Sequence, residues 1–255
     1  MTDVDPSTWT ARGPIDAPAI VFVHGTRVSR AVWNGQVRRL EGEFRCVTLD
    51  LPGHGTRAAE PFTLEGAADD VAAVIEAAVP SGRAIVVGLS LGGYVALETA
   101  VRHPDRVAGL ALSGCSADLV GPTALVFRAY GAALAHLPSR LLDGVNTVIF
   151  RRLYDPEVGG AIVAGGFGTH GGAQAIRSLV GRRFRDRLFD LWIPVLVING
   201  SLDLVFGPGG EPWAAACRQG RSVVIRRAGH LADLDRPGVF AGLIRTFVRE
   251  ATARP

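Results

Sequence analysis

The sequence contains no lysine, so all 27 of its basic residues are arginine. That absence excludes Schiff-base catalysis, a serine–lysine hydrolase and a phosphate-loop lysine. Cysteine is scarce as well. Cys46, Cys115 and Cys217 are odd in number, far apart and flanked by apolar residues, so buried reduced thiols are expected rather than a disulfide framework, which suits a reducing compartment. No apolar run reaches the roughly 18 residues of a membrane span. The polar start, Met1 to Thr8, has no basic segment leading into an apolar stretch. The expectation is a cytoplasmic protein without a membrane partner. No His/Cys/Asp/Glu cluster has metal-ligand spacing and no dinucleotide fingerprint occurs, so neither metal nor cofactor is expected. Nor is there a strong charge of either sign: the net +3 is spread along the chain and gives no footprint for nucleic acid. The arginine bias, with abundant Ala and Gly, reads as the composition of a GC-rich genome.

What is present is an ordinary globular composition, 48% hydrophobic and 20% charged over 255 residues, enough to bury a core without staples. Short aliphatic runs alternate with helix-like segments, the pattern of an α/β protein with a mostly parallel twisted sheet covered on both faces. The runs are Ala19–Val23, Cys46–Leu49, Ala84–Val87, Val107–Leu112, Val195–Ile198 and Val223–Ile225. Thr63 reads as an N-cap, with Leu64, Ala67, Ala68, Val71, Val74 and Ile75 on one helix face; Leu91–Val101 and Val239–Val248 read likewise. The alternation stops between Ser116 and Leu191. This suggests a core of residues 1–115 and 191–255, with a helical cap or lid of 116–190 inserted before the last two strands. Within that insertion, Gly159–Gly172 has seven glycines in fourteen positions, which reads as a hinge, a lid or a mobile loop.

The chemistry concentrates at three turns. Ala84-Ile85-Val86-Val87-Gly88-Leu89-Ser90-Leu91-Gly92-Gly93 is a strand entering Gly-x-Ser-x-Gly and then a helix. A serine on such a turn has its hydroxyl exposed at a helix N-terminus, where developing negative charge is favoured. It needs a base and a group to orient that base. Val195–Ile198 leads to Asp203, and Val223–Ile225 leads to His230, so Ser, Asp and His follow in order at strand C-terminal ends. Asp118, just beyond the Val107–Leu112 strand, is a second candidate for the acid; Asp203 is preferred.

Four motifs together, Phe22-Val23-His24-Gly25-Thr26, Leu49-Asp50-Leu51-Pro52-Gly53-His54-Gly55, the Ser90 turn and Gly229-His230, make the chain resemble the α/β-hydrolase superfamily of esterases and lipases over nearly its whole length. The resemblance implies a catalytic triad of Ser90, Asp203 and His230, with an oxyanion hole from the backbone N–H groups of Thr26 and Leu91. Only about eighteen residues precede Ala19, so one leading strand of the family is expected to be missing, leaving about seven.

Other residues have plainer expectations. His24 and His54 would serve turns, His103 a helix end, and His136 and His170 the surface of the insertion, while Trp33 and Tyr94 would pack the core. The insertion carries nine arginines against six acids, which reads as a solvated face in preference to a site for an anionic substrate. The implied activity is hydrolysis of a small or medium ester or lactone through an acyl-enzyme, the partner being a small-molecule substrate and the state a monomer or homodimer. A C–C bond hydrolase, a natural-product lyase, cyclase or transferase, and a non-catalytic ligand receptor remain open on the same fold.

Overall fold

The computed structural model describes residues 4–253, so Met1 to Asp3 of the polar start lie outside the described residues. The core elements come in the order β1 (Trp9–Arg12), β2 (Ala19–Val23), α1 (Asn34–Leu40), β3 (Arg45–Leu49), α2 (Leu64–Ala78), β4 (Ala84–Leu89), α3 (Leu91–Arg102) and β5 (Val107–Ser113). Four helices follow: α4 (Gly121–His136), α5 (Ser139–Leu153), α6 (Pro156–Ala164) and α7 (Thr169–Leu179). The chain then returns through β6 (Val195–Gly200), α8 (Gly210–Ala216), β7 (Gly220–Ile225), α9 (Ala232–Asp235) and α10 (Pro237–Thr252).

The seven strands pair in the order β1-β3-β2-β4-β5-β6-β7, and only the β1–β3 pair is antiparallel. The consecutive apolar runs explain the centre of this sheet. All residues of β2, β4 and β6 are buried, as strands covered on both faces must be. Helices α2 and α3 pack one face through Leu64, Val71, Ile75, Val95 and Leu97. The other face is closed by α1 and α10 through Val37, Leu40, Phe240, Ile244 and Phe247. Thr63 caps α2, its Oγ1 accepting from the Gly66 N–H at 3.1 Å, and Trp33 packs the core against Phe22 at 5.0 Å.

One strand lies outside the apolar runs, and one local reading changes. β1 carries no long apolar run, because an edge strand has one half-exposed face and alternates instead. The glycine-rich stretch 159–172 is largely helical, within α6 and α7, and its glycines serve close approach. A Cβ on Gly171 would collide with the carbonyl of Gly53, which lies in the loop after β3. Gly171→Ala is therefore expected to lower Tm by several degrees, on the scale of an overpacked contact of about 1–3 kcal/mol. Calorimetry of that variant beside Gly160→Ala, whose Cβ would meet nothing within 4 Å, checks it.

Candidate active site

Strand β4 is followed by a turn that the chain tolerates only because its neighbours are small. Ser90 sits at φ 52°, ψ −115°, a left-handed conformation that costs a non-glycine residue about 1–3 kcal/mol. Its N–H donates to the Ser113 carbonyl at 2.7 Å and its own carbonyl accepts from the Gly93 N–H at 2.9 Å, which holds the turn from both sides. Side chains at Gly88 and Gly92 would strike the carbonyls of Gly92 and Val23. The turn thus stands directly on the end of β2, placing Ser90 beside Gly25, whose Cβ position lies 3.4 Å from the Ser90 Cβ.

The loop after β2 is pinned by a buried histidine. His24 Nδ1–H donates to the Gly25 carbonyl at 2.7 Å, and its Nε2 accepts from the Leu51 N–H at 3.0 Å. Both ring nitrogens are engaged, and burial holds this imidazole below its usual pKa. His54 is also buried, with its pKa pushed down to about 3 by burial and by His24. Both rings are structural. Among the described residues neither Thr26 nor Leu91 uses its N–H in a backbone bond, Leu91 being the first residue of α3. Thr26 and Leu91 both line the cavity that holds Ser90.

Asp203 and His230 meet. His230 Nδ1 lies 2.9 Å from Asp203 Oδ2, while Asp203 Oδ1 accepts the N–H groups of Val205 and Phe206 at 3.1 and 3.0 Å. Burial alone would raise the Asp203 pKa, but the hydrogen bonds from His230 and Phe206, with the charge of His230, outweigh it and lower it. The imidazole stacks on Phe206, 5.1 Å between centroids, and passes Gly114, where any Cβ would lie 2.9 Å from its Cε1. Asp118, the other acid considered, turns away. Its Oδ1 accepts from the N–H groups of Phe184 and Arg185 at 2.8 and 2.9 Å.

Ser90, Leu91, Asp203 and His230 line one cavity of about 630 Å³, together with Gly25 and Thr26. Its other walls are mainly apolar side chains of α4, α5 and α7, among them Phe127, Ile149, Phe150 and Ile176. Tyr94 also lines it, with its hydroxyl donating to the Ala117 carbonyl at 2.8 Å. His136 and His170 are exposed outside this cavity, and His103 pairs with Asp69 at 2.7 Å.

Two contributors were not foreseen. Asp235 Oδ2 accepts from the Gly229 N–H at 2.6 Å and its Oδ1 from the Tyr154 hydroxyl at 3.2 Å, so it fixes the loop that presents His230. An acid five residues beyond a histidine, at the end of a one-turn helix, was the available signal. Arg27 follows Thr26 at φ 61°, and its Nη2 donates to Asp143 of α5 at 3.1 Å, tying the loop after β2 to that helix.

A separate carboxyl, Asp233, is fully buried, and neither oxygen has a hydrogen-bond partner among the described residues. Burial pushes its pKa up to about 7 from 3.8. The folded state then binds more protons than the unfolded state between those values, so stability falls as pH rises from about 4 to about 7. Asp233→Asn is expected to raise Tm at pH 8 and change it little at pH 4. Thermal melts of both proteins across that range check the sign.

Comparison with known proteins gives one consistent answer. A family model described as "Alpha/beta hydrolase family" matches residues 20–243. The chain is 31% identical over 249 residues to pimeloyl-(acyl-carrier protein) methyl ester esterase from Neisseria meningitidis serogroup A, covering 92% of this chain and 78% of that protein. It is 27% identical over 243 residues to 3-oxoadipate enol-lactonase 1 from Acinetobacter baylyi, covering 93% and 91%. Among solved structures it superposes with a TM-score of 0.80 on a malate-bound thermophilic esterase from Thermogutta terrifontis, at 28% identity over 95% of this chain and 93% of the other.

Proposed function

The chain belongs to the alpha/beta hydrolase family, as a carboxylic ester hydrolase of that fold, and on that premise we propose that it cleaves a small or medium carboxylic ester or lactone with Ser90 as nucleophile. The observation that carries this reading is the 2.9 Å Asp203–His230 bond on the cavity that also holds Ser90. Asp203 fixes the Nδ1–H tautomer, which leaves Nε2 to take the Ser90 proton as Oγ attacks the carbonyl carbon. The N–H groups of Thr26 and Leu91 receive the charge that moves onto the carbonyl oxygen, a contribution of about 10²–10³-fold per donor in related chemistry. The proton passes from His230 to the leaving alcohol, and the acyl group stays on Ser90. Water, deprotonated by the same imidazole, then releases the acid and restores the serine.

The cavity supports this range of substrate size. A volume of about 630 Å³ with apolar walls and few polar groups suits an acyl chain of short to medium length. The names of the relatives, a methyl ester esterase and an enol-lactonase, support ester and lactone carbonyls alike. The test is a series of p-nitrophenyl esters from acetate to palmitate. The expected result is the highest kcat/KM between butyrate and octanoate; absence of turnover across the series overturns the reading.

A further inference from the structure

The mouth of the cavity is ringed by exposed aliphatic side chains from three elements. Val126 of α4, Ile149 of α5 and Val205 of the loop after β6 line the cavity and are also solvent-exposed, Val126 and Val205 by 63% and 52%. The apolar surface continues outward. On α5, Leu141, Val145 and Val148 stand at i, i+4 and i+7 and form one outward stripe, each more than half exposed. Leu125 of α4 and Leu204, the latter 86% exposed, extend it on the other sides. Together these are eight exposed aliphatic side chains on α4, α5 and the loop after β6, three of them on the cavity itself, a number that points to a partner for this region.

Charge identifies the partner. Arg152 stands one step beyond Val148 on the same stripe, and Arg140 and Arg151 flank it; none of the three forms an ion pair among the described residues. The single acid on α5, Asp143, is committed to Arg27 and to the Thr169 hydroxyl. A second copy docking through this face about a two-fold axis would set these arginines against their own images. An aliphatic stripe bordered by arginine is instead the composition of a helix face that rests in a lipid interface.

We propose, against the sequence expectation of no membrane partner, that the α4–α5 face with the Leu204–Val205 loop docks on an anionic lipid surface, with the cavity mouth against the membrane. No helix among the described residues is long and apolar enough to cross a membrane, so the association is peripheral. Substrate dissolved in the lipid would enter past Val126, Ile149 and Val205 without passing through water. The docking stands apart from the hydrolytic reading, because vesicle binding is measured without turnover.

The test is flotation of the whole protein with phosphatidylcholine vesicles, with and without phosphatidylglycerol, at low and high salt. The expected result is binding to the anionic vesicles only, weakened by salt. Replacing Arg140, Arg151 and Arg152 together by Gln should weaken it on the order of 100-fold, at about fivefold per arginine. Val145→Ser with Val148→Ser should weaken it roughly tenfold. Both variants should keep wild-type turnover of p-nitrophenyl butyrate, since none of these five residues lines the cavity. Failure of the wild type to float with anionic vesicles overturns the proposal. So does binding that neither variant weakens, or a dimer in sedimentation equilibrium that the valine variant dissociates. Retention of a small acidic helical protein on this face, without vesicle binding, overturns it as well.

Discussion

Ser90→Ala is expected to lower kcat on the best ester by on the order of 10⁵-fold or more, while leaving KM close to the wild-type value. In the proposed mechanism the removed oxygen forms the covalent bond, and no neighbouring group replaces it. Substrate contacts with the apolar walls are untouched, which is why binding should persist. A residual rate above that in water is still expected, because the Thr26 and Leu91 N–H groups remain in place. The variant should also fold. Alanine faces the same left-handed backbone as serine, and the hydrogen bonds that hold the turn, Ser90 N–H to Ser113 and Gly93 N–H to the Ser90 carbonyl, come from the main chain. Side-by-side progress curves, with a melting temperature for each protein, check both halves of the expectation. Wild-type turnover by Ser90→Ala would remove the serine from the mechanism.

Asp203→Asn should cost about 10⁴-fold in kcat with the overall structure intact. The carboxylate accepts from His230 Nδ1 and thereby keeps Nε2 unprotonated. An amide at the same place offers a donor, favours the other tautomer, and turns the base away from its task. The same change alters acid stability with a defined sign. Asp203 is held below its ordinary pKa, so the wild type gains stability above the unfolded value and loses it as pH falls through the folded one. The asparagine variant lacks that contribution and should show a flatter acid limb in thermal melts. Asp118→Asn is the matched control. Its carboxylate serves the N–H groups of Phe184 and Arg185, away from the cavity, so it should keep kcat within a few-fold of wild type.

Sequence reading and structure agree where one physical requirement dominates. Strands buried on both faces must be apolar at every position, and Ala19–Val23 stands in the structure with the bounds its composition suggests. The turn at Ser90 was legible because sterics leave room only for glycine at positions 88 and 92. Thr63 was legible for the equally local reason that a helix start needs an acceptor. The remainder depends on contacts between distant segments. Nothing local distinguishes Gly171 from a loop glycine until Gly53 is placed against it. Asp235 and Tyr154 acquire their role only when the α5–α6 connection reaches the His230 loop, 81 residues apart in sequence. Arg27, left-handed in its backbone, finds its partner Asp143 on α5, 116 residues away. Such pairings carry no period and no short motif.

The central claim is that His230 and Asp203 activate Ser90 on this cavity. Fluorophosphonate labelling, followed by peptide mass spectrometry, tests it most directly because it needs no knowledge of the substrate. The account predicts a single adduct on the peptide containing Ser90 in the wild type, and labelling slowed by orders of magnitude in His230→Ala. An unlabelled Ser90, an adduct on another residue, or equal labelling of the His230→Ala protein would contradict it.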